Sequence, residues 1–129
     1  APGLMLGMLF GRVGCWAGGC CAGRPSRARL ALWSSDRTLG VKRVPVQFIE
    51  GLLAAGIGAI ALLFAWRALP SPPGALFIAV IAAYIAIRQL LFPLRSQARR
   101  TVRGRYLALL AAAVSLTVSM ALLALSVAR

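Results

Sequence analysis

The chain has 129 residues, of which 60% are hydrophobic, and its 15 lysine and arginine residues face only 2 acidic ones. This hydrophobic fraction is too high for a soluble domain of this length, so the composition indicates a membrane protein. A net charge of +13 would favour nucleic acid as the partner of a soluble protein. Beside membrane-spanning helices the expected partner is anionic membrane lipid, and we predict no nucleic-acid binding.

Apolar stretches predict the helices. Residues 46–66, 75–92 and 106–128 each have the roughly 20 residues that a membrane crossing needs. Residues 1–17 are apolar but short for a crossing, and we expect a partial helix that is the end of a longer one. A basic loop, residues 18–45, separates this segment from the next. The predicted fold class is therefore all-α, a polytopic transmembrane helical bundle, with residues 1–129 as a single membrane domain.

The positive charge is concentrated in two places, the loop 18–45 and the run 95–105. Lysine and arginine are enriched in cytoplasmic loops, and this rule places both basic segments on the cytoplasmic side and residues 67–74 on the other. Glycines recur along two of the predicted helices and favour close helix packing in lipid. They are Gly3 and Gly7 in the first helix and Gly51, Gly56 and Gly58 in the second.

A glycine-rich segment, GRVGCWAGGCCAGRP, runs from Gly11 to Pro25. Its glycines allow the backbone to approach a ligand or another helix closely. Arg12 lies next to an apolar helix, where a cation is unfavourable without an anionic partner. A guanidinium matches a phosphate with two parallel hydrogen bonds, so a lipid phosphate is a suitable partner. The alternative is that Arg12 extends to the interface and meets any lipid.

A second polar cluster, RVPVQFIE, runs from Arg43 to Glu50. Gln47 and Glu50 are three residues apart and therefore share one face of a helix. Glu50 is one of the two acids and begins an otherwise apolar helix, where an ionisable group indicates function by default. It could orient an arginine towards a phosphate or accept a proton. The alternative is a buried ion pair that orders the bundle without taking part in chemistry.

The three cysteines are Cys15, Cys20 and Cys21. They predict no metal site, because the chain has no histidine, no CxxC pair and too few ligands for zinc. We expect small buried packing residues. A disulfide between Cys15 and Cys20 is the alternative, whereas adjacent Cys20 and Cys21 are poorly placed to pair with each other.

The two polar clusters resemble the prolipoprotein diacylglyceryl transferase family, whose patterns read approximately GRxGNFxNxExxGR and RHPSQLYE. The matching positions are Gly11, Arg12, Gly14, Gly23 and Arg24 in the first cluster and Arg43, Pro45, Gln47 and Glu50 in the second. A weaker match to the pattern YxxxRFxxExxR falls on Tyr84, Arg88 and Arg95. The resemblance extends through nearly the whole chain.

The resemblance implies a multi-pass enzyme of the bacterial inner (plasma) membrane. Such an enzyme moves diacylglyceryl from phosphatidylglycerol to the lipobox cysteine in the signal-peptide region of a prolipoprotein, and it needs no cofactor. The implied catalytic residues are Arg12, Arg43 and Glu50. The implied substrate-binding residues are Gly11, Gly14, Gly23, Arg24, Gln47 and Arg88. The family's first pattern faces the outer side of the membrane, opposite to the side that the positive charge predicts.

The chain departs from the family patterns at several positions. Cys15 and Cys20 stand where the first pattern has asparagine and glutamate, and Phe92 stands where the weaker one has an acid. Because the chain has no histidine, a histidine motif that serves as the base would have to lie upstream. These departures favour an alternative function, a non-catalytic membrane protein that binds anionic phospholipid or acts as a transporter or assembly subunit.

Overall fold

The computed structural model describes residues 1–33, 40–67, 72–96 and 102–127. Four helices dominate it: α1 (Pro2–Ala17), α2 (Val46–Trp66), α3 (Ala75–Leu91) and α4 (Val102–Val127). Among the described residues, three helical segments are long and apolar enough to cross a membrane: Val46–Trp66, Ala75–Leu94 and Arg103–Ser126. Most of their large apolar side chains point outwards, as expected for helices in lipid. The predicted fold class, an all-α transmembrane bundle, is confirmed.

The ends of two helices differ from the apolar stretches for identifiable reasons. α3 gives way to a 3₁₀ helix over Phe92–Leu94, because Pro93 has no N–H to continue the α-helical pattern. α4 begins at Val102, before the apolar stretch that starts at residue 106. Arginine is a good helix former, so the helix extends into the basic run.

The basic loop contains a small hairpin that apolar periodicity does not predict. Strands β1 (Leu32–Trp33) and β2 (Lys42–Arg43) pair antiparallel, with Leu32 opposite Arg43 and Trp33 opposite Lys42. The Lys42 ammonium lies 5.7 Å from the centre of the Trp33 ring, a cation–π contact. The hairpin ends directly before α2 and so places Arg43 at the entrance of that helix.

The helices α1 and α2 are antiparallel and approach closely at two glycines. A Cβ atom on Gly58 would lie 2.9 Å from Met5 Cβ, and one on Gly51 would lie 3.4 Å from Arg12 Cβ. The close packing predicted for glycines is thus present at these two positions. At Gly3, Gly7 and Gly56, no described atom lies within 4 Å of the added Cβ.

The two basic segments meet at one end of the bundle. The Arg24 N–H donates to the Leu94 carbonyl at 2.8 Å, and the Ser96 hydroxyl donates to the Ala22 carbonyl at 2.8 Å. Gly23 also forms an antiparallel bridge with Arg95. The loop after α1 therefore lies against the end of α3, where α2 begins. This agrees with the expectation that both basic segments share one side of the membrane.

The glycine contacts predict different effects for two matched substitutions in α2. Gly58→Ala should destabilise the protein by about 1–3 kcal/mol, because its methyl group would overlap Met5. Gly56→Ala should be neutral or stabilising by up to about 1 kcal/mol, because alanine favours the helix and the position is open. Thermal unfolding in detergent measures both. Equal Tm values for the two variants would contradict the close approach at Gly58.

Candidate functional site

Glu50 lies at the centre of a buried charge cluster built from three elements. Its carboxylate, 1% exposed, is contributed by the first turns of α2. Arg12 of α1 places Nη2 at 2.9 Å from Glu50 Oε2, and Arg95, directly after the 3₁₀ helix, places Nη2 at 3.7 Å from the same oxygen. Both arginines are buried. The cluster thus forms only where the ends of α1, α2 and α3 meet.

Tyr84 of α3 completes the contacts of Arg12. The Arg12 Nη2 group donates a hydrogen bond to the Tyr84 hydroxyl at 3.0 Å, while its contact with Glu50 is an ion pair. Glu50 Oε1 accepts no hydrogen bond from the described residues. Glu50 Oε1 is therefore a buried acceptor without a hydrogen-bond donor among the described residues.

The cluster has more positive than negative charge. Arg12 and Arg95 contribute two positive charges and Glu50 one negative charge, which leaves a net charge of +1 among three buried side chains. The Nε atoms of Arg12, Arg43 and Arg95 are buried and have no hydrogen-bond acceptor among the described residues. Each such buried donor costs about 1–3 kcal/mol. An anion with several acceptor oxygens would satisfy both the charge and the donors.

Arg43 and Gln47 fix the loop that follows α1. The Arg43 Nη1 group donates to the Gly23 carbonyl at 3.2 Å, and Gln47 Nε2 donates to the Cys20 carbonyl at 2.9 Å. Gly23 itself admits no side chain, because a Cβ atom there would collide with the Val44 carbonyl oxygen. These three residues hold the loop against the first turn of α2, beside Glu50.

Four of the residues that the resemblance implies are not gathered around Glu50. Gly11 and Gly14 lie on the exposed face of α1, with no described atom within 4 Å of an added Cβ. The Arg24 side chain is exposed, although its backbone pairs with Leu94 and Val44. Arg88 is exposed on α3 and has no hydrogen-bond or ion-pair partner among the described residues.

Two cluster residues, Arg95 and Tyr84, were not predicted as site residues. Both belong to the weaker motif match, which was the signal that could have found them. In the sequence, Arg95 precedes Arg99 and Arg100 and looks like one more member of a basic run. In the structure the chain turns at the 3₁₀ helix, and Arg95 is 5% exposed.

The three cysteines lie together at the end of α1. Their Sγ atoms all lie within 4.8 Å of one another, and all three are free thiols. Cys20 is exposed, so the expectation of buried packing residues is wrong at this position. The hydrogen bond with Cys15 raises the pKa of the Cys20 thiol above its ordinary value. A raised pKa disfavours the thiolate, which is the nucleophilic form of cysteine.

Comparison with known proteins agrees with the two clusters. The family model described as prolipoprotein diacylglyceryl transferase matches residues 1–128. A similar curated protein is a phosphatidylglycerol–prolipoprotein diacylglyceryl transferase of Dehalococcoides mccartyi, 34% identical over 91 residues. That match covers 67% of this chain and 34% of the relative, so the chain spans about a third of the relative's length. No solved structure matches the chain. The family match includes every member of the buried charge cluster, and the chain belongs to the prolipoprotein diacylglyceryl transferase family.

Proposed function

We propose that this chain supplies the phosphate-binding part of a phosphatidylglycerol–prolipoprotein diacylglyceryl transferase in the bacterial inner membrane. The observation that carries the proposal is the surplus of buried positive charge around Glu50. A protein that only needed an ion pair to join its helices would be satisfied by one arginine. The second arginine and the unpaired Nε donors favour a site that an anion completes.

The phosphodiester of phosphatidylglycerol fits this site in charge and in position. Its single negative charge balances the net charge of the cluster, and its oxygens accept hydrogen bonds from guanidinium donors. The cluster lies where α2 begins and α3 ends, and the proposal puts it at the depth of the lipid headgroups. Arg12, Arg43 and Arg95 are the proposed phosphate-binding residues.

The proposed reaction transfers the diacylglyceryl group from oxygen to sulfur. The thiolate of the lipobox cysteine attacks the glyceryl carbon, a C–S bond forms, and the bond from that carbon to the phosphate oxygen breaks. The electron pair of the broken bond stays on the phosphate, which leaves as glycerol phosphate. Arginines close to this phosphate stabilise the charge that develops. The reaction as written needs no cofactor.

Glu50 acts in this proposal as a positioning residue. It holds Arg12 and Arg95, and its unoccupied Oε1 can accept a hydrogen bond from a hydroxyl of the headgroup glycerol. We assign the thiol proton to none of the residues of this chain. Gly11, Gly14, Arg24 and Arg88 lie on exposed surfaces and stay proposals for contacts with the lipid or the signal-peptide region of the prolipoprotein.

A second candidate function uses the same site without catalysis. Cys15 and Cys20 replace an amide and a carboxylate of the family pattern, so the alternative is a protein that binds anionic phospholipid and transfers nothing, although the family match favours the transferase. Both functions need the arginine cluster, and only transfer to a thiol distinguishes them.

Substitution of Arg95 should abolish most of the transferase activity. A lipobox peptide, phosphatidylglycerol and membranes containing the full-length protein are incubated, and the diacylglyceryl adduct is measured by mass spectrometry. We expect Arg95→Gln and Arg12→Gln to reduce the initial rate by about 10²-fold, as for loss of one charge-stabilising donor. Arg67→Gln is the matched control, because Arg67 is exposed at the opposite end of α2.

Two results would contradict these proposals separately. Equal rates for Arg95→Gln and Arg67→Gln would exclude Arg95 from the phosphate site. No adduct from the wild-type protein, with phosphatidylglycerol still raising its Tm, would exclude transfer and leave the non-catalytic binding protein.

The Glu50→Gln variant tests whether Glu50 positions the arginines for the phosphate or only stabilises the helix bundle. The substitution leaves two buried guanidinium groups without their carboxylate, and we expect it to destabilise the protein by about 3–5 kcal/mol. Saturating phosphatidylglycerol should restore part of the Tm, because the phosphate replaces the missing negative charge. If the variant is less stable but has an unchanged KM for phosphatidylglycerol and an unchanged kcat per folded protein, Glu50 only orders the bundle.

A further inference from the structure

The loop after α1 turns back so that its three cysteines converge. Cys20 N–H donates to the Cys15 carbonyl at 3.0 Å, and Gly19 N–H donates to the Trp16 carbonyl at 3.1 Å. Gly19 has φ +70°, and Cys21 has φ +58°, a left-handed conformation that is unfavourable for a residue with a side chain. This backbone brings Cys15, Cys20 and Cys21 together, with all three Sγ atoms within 4.8 Å of one another.

The convergence of the three sulfur atoms changes the conclusion, drawn from the cysteine spacing, that the chain has no metal site. Adjacent cysteines and a four-residue gap do not form a familiar zinc motif, but three sulfurs around one zinc ion at about 2.3 Å would lie only about 3.8 Å apart. The observed sulfurs need a small contraction to reach that geometry. A disulfide would join only two of the three thiols and would not explain why the third lies beside them.

We infer that Cys15, Cys20 and Cys21 form a three-thiolate site for a thiophilic cation, Zn²⁺ or Cu⁺. Thiolate ligands select these two ions. The exposed side of Cys20 leaves a further coordination position open to solvent or to an added ligand. The site lies directly after the C-terminal end of α1.

The bound cation would fix the loop that Gln47 and Arg43 hold. Gln47 donates to the carbonyl of Cys20 and Arg43 to the carbonyl of Gly23, so the metal site and the first turn of α2 share one backbone segment. This inference does not depend on the proposed transfer, and its test measures metal binding alone.

The test is metal titration of the reduced full-length protein in detergent. Co²⁺ as a probe for the zinc site should produce thiolate-to-metal absorption at one equivalent per chain, and Zn²⁺ should displace it. Competition with a Cu⁺ chelator measures binding of Cu⁺ to the same three thiols in parallel. We expect Cys15→Ser, Cys20→Ser and Cys21→Ser each to weaken binding of the preferred ion at least 10-fold.

Cys21→Gly is the variant that separates folding from binding. Glycine adopts φ +58° without strain, so the metal-free Cys21→Gly protein should have a Tm equal to or above that of the wild type and still lose the metal. The inference is overturned if neither ion binds the reduced protein at one equivalent. It is also overturned if the triple Cys→Ser variant binds as tightly as the wild type, or if peptide mapping shows a Cys15–Cys20 disulfide in a protein that binds no ion once reduced.

Discussion

Burial of two guanidinium groups is unfavourable unless an anion accompanies them, and Glu50 is the buried acid that meets this need within the described chain. Its partners come from α1 and from the segment after α3, so the ends of three helices must meet at one point. Gly51, the next residue along α2, makes this geometry accessible, because a Cβ atom there would be only 3.4 Å from Arg12 Cβ. Helix packing and charge pairing therefore depend on each other at the same turn of α2.

The same turn of α2 also organises the loop that follows α1. Gln47 lies one turn before Gly51, and its side-chain amide donates a hydrogen bond to the carbonyl of Cys20. Arg43 is tied in the same way to the carbonyl of Gly23 through one terminal nitrogen, while its Nε remains unpaired. Gln47 thus acts through the loop, whereas Arg43 can both hold the loop and offer a donor to an anion. The residues of the second polar cluster divide into these roles, although the sequence presents them as one motif.

How much the sequence predicts depends on the range of the interaction. The long helices follow from local apolarity, and Glu50 stands out because an acid in an apolar helix needs a partner. Arg95 joins the site only because the chain turns at Pro93 and pairs with Gly23, a contact between residues 72 positions apart that no local pattern encodes. The convergence of the cysteines occurs with a positive φ at Cys21, a conformation that local preference disfavours for cysteine. The two-residue strands of the hairpin are too short to show alternation.

The cysteine substitutions in the family pattern take no part in the ion pairs of the buried charge cluster. Gln47 binds the backbone carbonyl of residue 20, a contact that any side chain at that position permits. The ion pairs and the side-chain hydrogen bond of the cluster of Arg12, Glu50 and Arg95 likewise involve neither residue 15 nor residue 20. The cluster therefore forms with thiols in place of the amide and the carboxylate of the family pattern, and these thiols change the chemistry of the loop beside it. The proposed phosphate binding and the proposed group transfer are for this reason separate hypotheses about the chain, and each needs its own measurement.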